Sequence, residues 1–210
     1  MITLISRRLR SLIPLLALAA SACATPQGIT SYYTLMPDSS TAATATDSSY
    51  QIEVMKVDVP MQVDTPQIVV RTGAGELVPV DSRRWIAPLS NELHGALSWN
   101  LTRTLGVRDV AGFGRNSSTP IYRVNLRVQR FDSAPGAYAR IDALWSVRLS
   151  NNDAAPVVCS STANIPVGPG YAALAQGHQK AIAQISDEIA ASIRNARSTG
   201  RAPTCVTSAQ

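Results

Sequence analysis

Hydrophobic and polar positions change period along the chain, and each change marks an element. Ser31 to Met36 is a short β-prone run, suited to a sheet edge. Ile52 and Val54 alternate with polar Gln51 and Glu53, then the phase shifts to Val57 and Val59. That shift predicts a bulged strand from Gln51 to Val59, ended by Pro60. Gln67 to Arg71 is an apolar run of the kind buried on both faces. Gly73 to Gly75 predict a turn, and Glu76 to Val80 its hairpin partner.

The period then lengthens. Leu89, Leu93, Leu97, Leu101 and Leu105 recur every fourth residue, which predicts an amphipathic helix. Pro88 suits its first turn and Gly106 its end. Trp85 and Ile86, just ahead, are placed to close the core. Strict alternation returns over Tyr122–Phe131 and Arg140–Leu149, joined by a turn at Ser133–Gly136. Each reads as a strand with one wet face. A further turn at Asn151–Ala155 leads to a strand at Val157–Ile165, then a Pro/Gly loop from Pro166 to Gly170. Leu174, His178, Ile182, Ile185, Ile189 and Ile193 form the apolar stripe of a long helix, Tyr171 to Ala196. The order predicts an α+β fold: a mainly antiparallel sheet with two amphipathic helices packed on one face.

The first residues follow another logic. Arg7, Arg8 and Arg10 form a basic n-region, Leu12 to Ala20 a short apolar stretch, and Ala20-Ser21-Ala22 a small-residue cleavage site. The apolar stretch is shorter than the roughly 20 residues a spanning helix needs. Cys23 follows at once, making the segment resemble a lipobox. Its thiol and freed amine would carry acyl chains, palmitate among them, and two or more chains anchor stably. The alternative is a plain secretory signal beside an unrelated cysteine. The organisation expected is a signal peptide over 1–22, a lipidated tether over 23–30, one domain over 31–197 and a polar tail over 198–210. Within the domain, 38–49 is almost wholly Ser, Thr, Ala and Asp, an insert that cannot bury anything.

Cysteine parity supports this scheme. Three cysteines are an odd number for an exported chain, and assigning Cys23 to lipid leaves Cys159 and Cys205 to pair in an oxidising compartment. A metal site on two cysteines without neighbouring His or acids is the weaker reading. Removing the signal lowers the formal charge from +5 to about +2, and no basic run is interleaved with aromatics, so nucleic-acid binding is not supported.

Catalytic constellations are missing from the sequence. His94 and His178 lie on the helices and read as structural, with a shared metal or general base as the rarer alternative. No serine sits in Gly-x-Ser-x-Gly, and Gly73-Ala74-Gly75 and Gly112-Phe113-Gly114 read as turns. No cofactor is expected, and an enzyme is not. Arg83 and Arg84, beside Trp85, are the candidate contact residues for lipid headgroups or an acidic partner; Trp85 is equally a candidate for the core.

The ordered fragments Tyr32-Tyr33-Thr34-Leu35, Val57-Asp58-Val59-Pro60, Gln67-Ile68-Val69-Val70-Arg71 and Trp85-Ile86-Ala87-Pro88-Leu89 resemble the PqiC-like family, the auxiliary lipoproteins of ABC-type transport systems. The resemblance spans nearly all of the mature chain. It implies an outer-membrane lipoprotein facing the periplasm, working with an MCE-domain protein and an ABC transporter to move phospholipid or other apolar molecules between membranes. The insert at 38–49 and the Cys159/Cys205 pair depart from the simplest family pattern. Two rival functions stay open: a lipid-binding module with an apolar cavity between sheet and helices, and a structural or assembly lipoprotein of the envelope. Self-association as a homo-oligomer is left open as well. Ala24, where inner-membrane lipoproteins commonly carry Asp, favours the outer membrane.

Overall fold

The leucines spaced four apart form helix α1, Leu89–Leu105, and the stripe of Leu174 to Ile193 lies on helix α2, Tyr171–Thr199. This computed structural model describes residues 29–38, 47–113, 119–150 and 156–206. The signal segment, Cys23, most of the Ser/Thr/Ala insert and the turn expected at 151–155 lie outside them. Leu89, Leu93, Leu97 and Leu101 are fully buried, and so is every named residue of the α2 stripe. Pro88 stands at the N-cap of α1. Gly106 closes the helix at φ 68°, a left-handed geometry that glycine adopts without a Cβ penalty. Its N–H donates to the Thr102 carbonyl.

Among the described residues seven strands accompany the helices: β1 Ser31–Tyr33, β2 Gln51–Val54, β3 Gln67–Gly73, β4 Glu76–Trp85, β5 Ile121–Ala134, β6 Tyr138–Leu149 and β7 Val157–Pro166. They form two sheets rather than the single one expected. One has the order β1-β4-β3, the other β2-β5-β6-β7. Pairing is antiparallel through β3–β4, β5–β6 and β6–β7, as the hairpin patterns required. The two short N-terminal strands add in parallel, β1 onto β4 and β2 onto β5. The phase shift after Val54 is a true interruption. Strand β2 ends there, and the chain rejoins its neighbour through a bridge from Asp58 to Arg127. Val57 turns into the core between the two segments.

The alternation in β5 and β6 places Val124, Leu126, Val128, Ile141, Ala143, Trp145 and Val147 on the buried face. Helix α2 packs on β6 and β7, and α1 packs on α2 and β2. Gly177 permits the close approach of α2. A Cβ there would overlap Val167 and lie 2.9 Å from the Ala139 Cβ. Both sheets and both helices contribute to one continuous hydrophobic cluster.

Candidate functional site

The chain enters the described structure at Ile29 and at once becomes an edge strand. Ser31, Tyr32 and Tyr33 pair with Arg83, Arg84 and Trp85, and the Ile86 N–H donates to the Tyr33 carbonyl. Side chains alternate across a sheet, so Tyr32, Arg84 and Ile86 share one face while Tyr33, Arg83 and Trp85 share the other. Tyr32 is 58% exposed and Ile86 62%, whereas Trp85 is 3% exposed. Of the three candidate contact residues, Trp85 therefore takes the core alternative. Only Arg83 and Arg84 remain at the surface. The Arg83 guanidinium donates to the Ser31 hydroxyl and to the Ile29 and Ser82 carbonyls, and lies 5.5 Å from the centre of the Tyr171 ring. Arg84 Nε donates to the Asp81 carbonyl.

Beyond Tyr33 the chain leaves the sheet and is held by the helices. Glu92 Oε2 accepts from Thr34 Oγ1 and from the Leu35 N–H, both at 2.7 Å. Gln179 Nε2 donates to the carbonyls of Thr34 and Met36. Leu35 is fully buried between them. The N-terminal segment is thus latched to both helices by side chains that sequence reading did not single out. Glu92 directly precedes Leu93 of the leucine stripe, and a carboxylate at that flank was the available signal.

The core side of this edge holds an aromatic cluster. Trp85 meets Phe131 edge-on at 6.0 Å, and His178 stacks on Phe131 at 3.9 Å. Burial pushes the His178 imidazole down to about 3, so it is neutral. Its Nε2 shares a 2.8 Å hydrogen bond with Ser133 Oγ, and Nδ1 has no partner among the described residues. His94 Nε2 donates to the Val54 carbonyl, tying α1 to β2. The histidines therefore sit apart, each engaged in packing. Glu188 is likewise enclosed: it accepts from Ser161 Oγ, which accepts in turn from Trp145 Nε1. Among the described residues no group of three or more His, Cys, Asp or Glu is placed to hold a metal.

The open face of the larger sheet and the adjoining strand β3 are rich in arginine, but acids answer much of that charge. Arg71 pairs with Asp132, Arg123 with Glu53, Arg127 with Asp58, and both Arg130 and Arg140 with Asp142. A hollow of about 310 Å³ lies here between Lys56, Asp58, Arg127, Leu144 and Val158. A second, of about 420 Å³, is lined by Val54, Met55, Asn91, His94 and Gly112. Both are surface hollows. The interface between the sheet and α2 is filled by fully buried Ile141, Ile182, Ile185 and Ile189.

Cys159 and Cys205 are joined in a disulfide, with Cα atoms 5.4 Å apart. The bond fastens the segment after α2 to strand β7. Among the described residues no helix is long and apolar enough to cross a membrane.

No curated protein matches the chain by sequence. Two crystal structures share its fold. One, of an uncharacterized protein, is 21% identical, with a TM-score of 0.62, covering 79% of this chain and 99% of the other. The second is protein XCC0632 from Xanthomonas campestris, 18% identical, with a TM-score of 0.58, covering 84% of this chain and 92% of the other. A family model matches residues 33–190, from the latched edge strand through most of α2. On that match, the chain belongs to the family of ABC-type transport auxiliary lipoprotein components.

Proposed function

We propose that this protein is a lipid-anchored accessory of the outer membrane, facing the periplasm, in an MCE/ABC-type system that moves phospholipid between membranes. In this reading it docks an MCE-domain protein and performs no chemistry of its own. The observation that carries it is the family match over residues 33–190, most of the two-sheet, two-helix body. Supporting it, His178 and Glu188 are buried and His94 holds β2, so these three groups serve the structure. The filled sheet–helix interface favours docking over storage of an acyl chain. Cys23 supplies the anchor, and Ala24 after it favours the outer membrane.

The test is affinity purification of the full-length protein from detergent-solubilised envelopes, after separating the two membranes by density. Mass spectrometry then reads the mature N-terminus, the co-purifying proteins and the lipids. An acylated Cys23 in the outer-membrane fraction, together with an MCE-domain protein, is the expected result. An unacylated N-terminus, or acylated protein with no transport component attached, would overturn the proposal.

A further inference from the structure

We propose that the edge made by β1 and the end of β4 is a bilayer-contacting surface: Tyr32 and Ile86 seat at the level of the phospholipid headgroups, and Arg84, on the same face, meets the lipid phosphates. The proposal rests on the lipid-anchor reading of Cys23 and adds the orientation in which the anchored domain sits.

Three observations converge on this edge. The first is composition. Ile29, Tyr32 and Ile86 are 88%, 58% and 62% exposed, and all three lie within the β1–β4 pairing or directly before it. A Tyr and two Ile beside an Arg are the side chains that suit a membrane interface, with apolar bodies inward and polar tips at the headgroups. The second is charge. Among the described residues Arg84 is paired with no carboxylate, its Nε donating to the Asp81 carbonyl, while five arginines of the open sheet face and its rim are paired. Unpaired guanidinium groups can bind phosphate oxygens in the forked geometry that arginine favours. The third is reach. Five residues lie between Cys23 and Ile29, and the six steps span at most roughly 20 Å of extended chain. The anchor therefore holds this edge close to the bilayer, and the Glu92 and Gln179 latch fixes the domain to that short lead.

The larger sheet provides the comparison position: Val158 is 62% exposed on β7, outside the sheet formed by β1, β4 and β3.

Full-length acylated protein would be reconstituted into phosphatidylethanolamine/phosphatidylglycerol vesicles carrying shallow bromines on their acyl chains. Tryptophan emission is read for Tyr32→Trp and Val158→Trp, each after subtraction of the parent protein's own signal. Quenching of the Tyr32→Trp signal roughly twofold, with the Val158→Trp signal unchanged, is the expected result for an interfacial side chain. Adding Arg84→Glu to Tyr32→Trp should weaken the quenching. Vesicle-bound, acylated protein whose Tyr32→Trp signal is quenched no more than that of Val158→Trp overturns the contact surface while leaving the anchor intact. Cys23 without acyl chains by intact mass, and protein that washes off the vesicles, removes the anchor reading and this proposal together. Quenching that Arg84→Glu leaves untouched overturns the phosphate role.

Discussion

His178 shows how much one buried side chain can govern. It lies on the apolar stripe of α2, fully enclosed and stacked on Phe131, and desolvation holds it neutral down to about pH 3. An unfolded histidine takes up its proton near pH 6.5. Below that value the unfolded chain binds a proton that the native protein refuses, so stability falls as the solution is acidified. The contribution is whole above pH 6.5 and is lost progressively between 6.5 and 3. Well inside that window the loss approaches about 1.4 kcal/mol per pH unit. His178→Phe keeps the ring stack and removes the titration. Urea unfolding of both proteins from pH 7 to pH 4 should show a shallower decline for the variant, even where the lost Ser133 contact lowers its absolute stability. Parallel slopes would show that the imidazole is not the group responsible.

At the scale of elements, the latch of the N-terminal strand makes the sharpest claim. Glu92 is 5% exposed and accepts two hydrogen bonds, one from the buried Leu35 N–H. Glu92→Ala leaves that donor without a partner and opens a void beside Leu35, at a cost of about 2–3 kcal/mol. Glu92→Gln keeps an acceptor oxygen and should cost roughly half as much. Hydrogen exchange should show residues 31–36 losing protection in the alanine variant while β5 and β6 keep theirs; uniform protection across both would refute the latch. Strand β1, which this latch positions, and strand β2 were also the least legible from sequence. Long alternation gave β5 and β6, and four-residue spacing gave α1, because many residues vote for the same face. Strand β1 has three residues and β2 four, too few to specify a partner or a direction. The seating of β1 depends on Leu35, Glu92 and Gln179 meeting across the fold, and that of β2 on its pairing with β5 and the His94 contact. The same limit applied to the surface edge. Arg83 and Arg84 stood out as a pair, but Tyr32 and Ile86 joined them only once β1 lay beside β4.

Across the whole molecule, the cysteines divide the mechanical work between the two ends. Cys23 precedes the latched strand, and Cys205 follows α2 and is bonded to Cys159 on β7. Helix α2 covers β6 and β7, so the disulfide ties the segment leaving that helix back to the sheet it covers. With 46 residues separating the two cysteines, the chain-entropy model assigns the bond about 4 kcal/mol. For a chain of this size that corresponds to a fall in Tm of about 10 °C when the bond is lost. Cys159 is 4% exposed, so serine at that position would bury a hydroxyl and confuse the comparison. Cys205→Ser combined with Cys159→Ala is the cleaner variant. Thermal unfolding of this variant and of the parent, each with and without reductant, separates the effects. The parent should lose roughly 10 °C on reduction while the variant is indifferent to reductant. Thiol titration should find the two cysteines blocked in the unreduced parent. A parent whose Tm is unmoved after both thiols are freed would show that packing of α2 on the sheet holds that end alone, and that the bond contributes only protection of the tail.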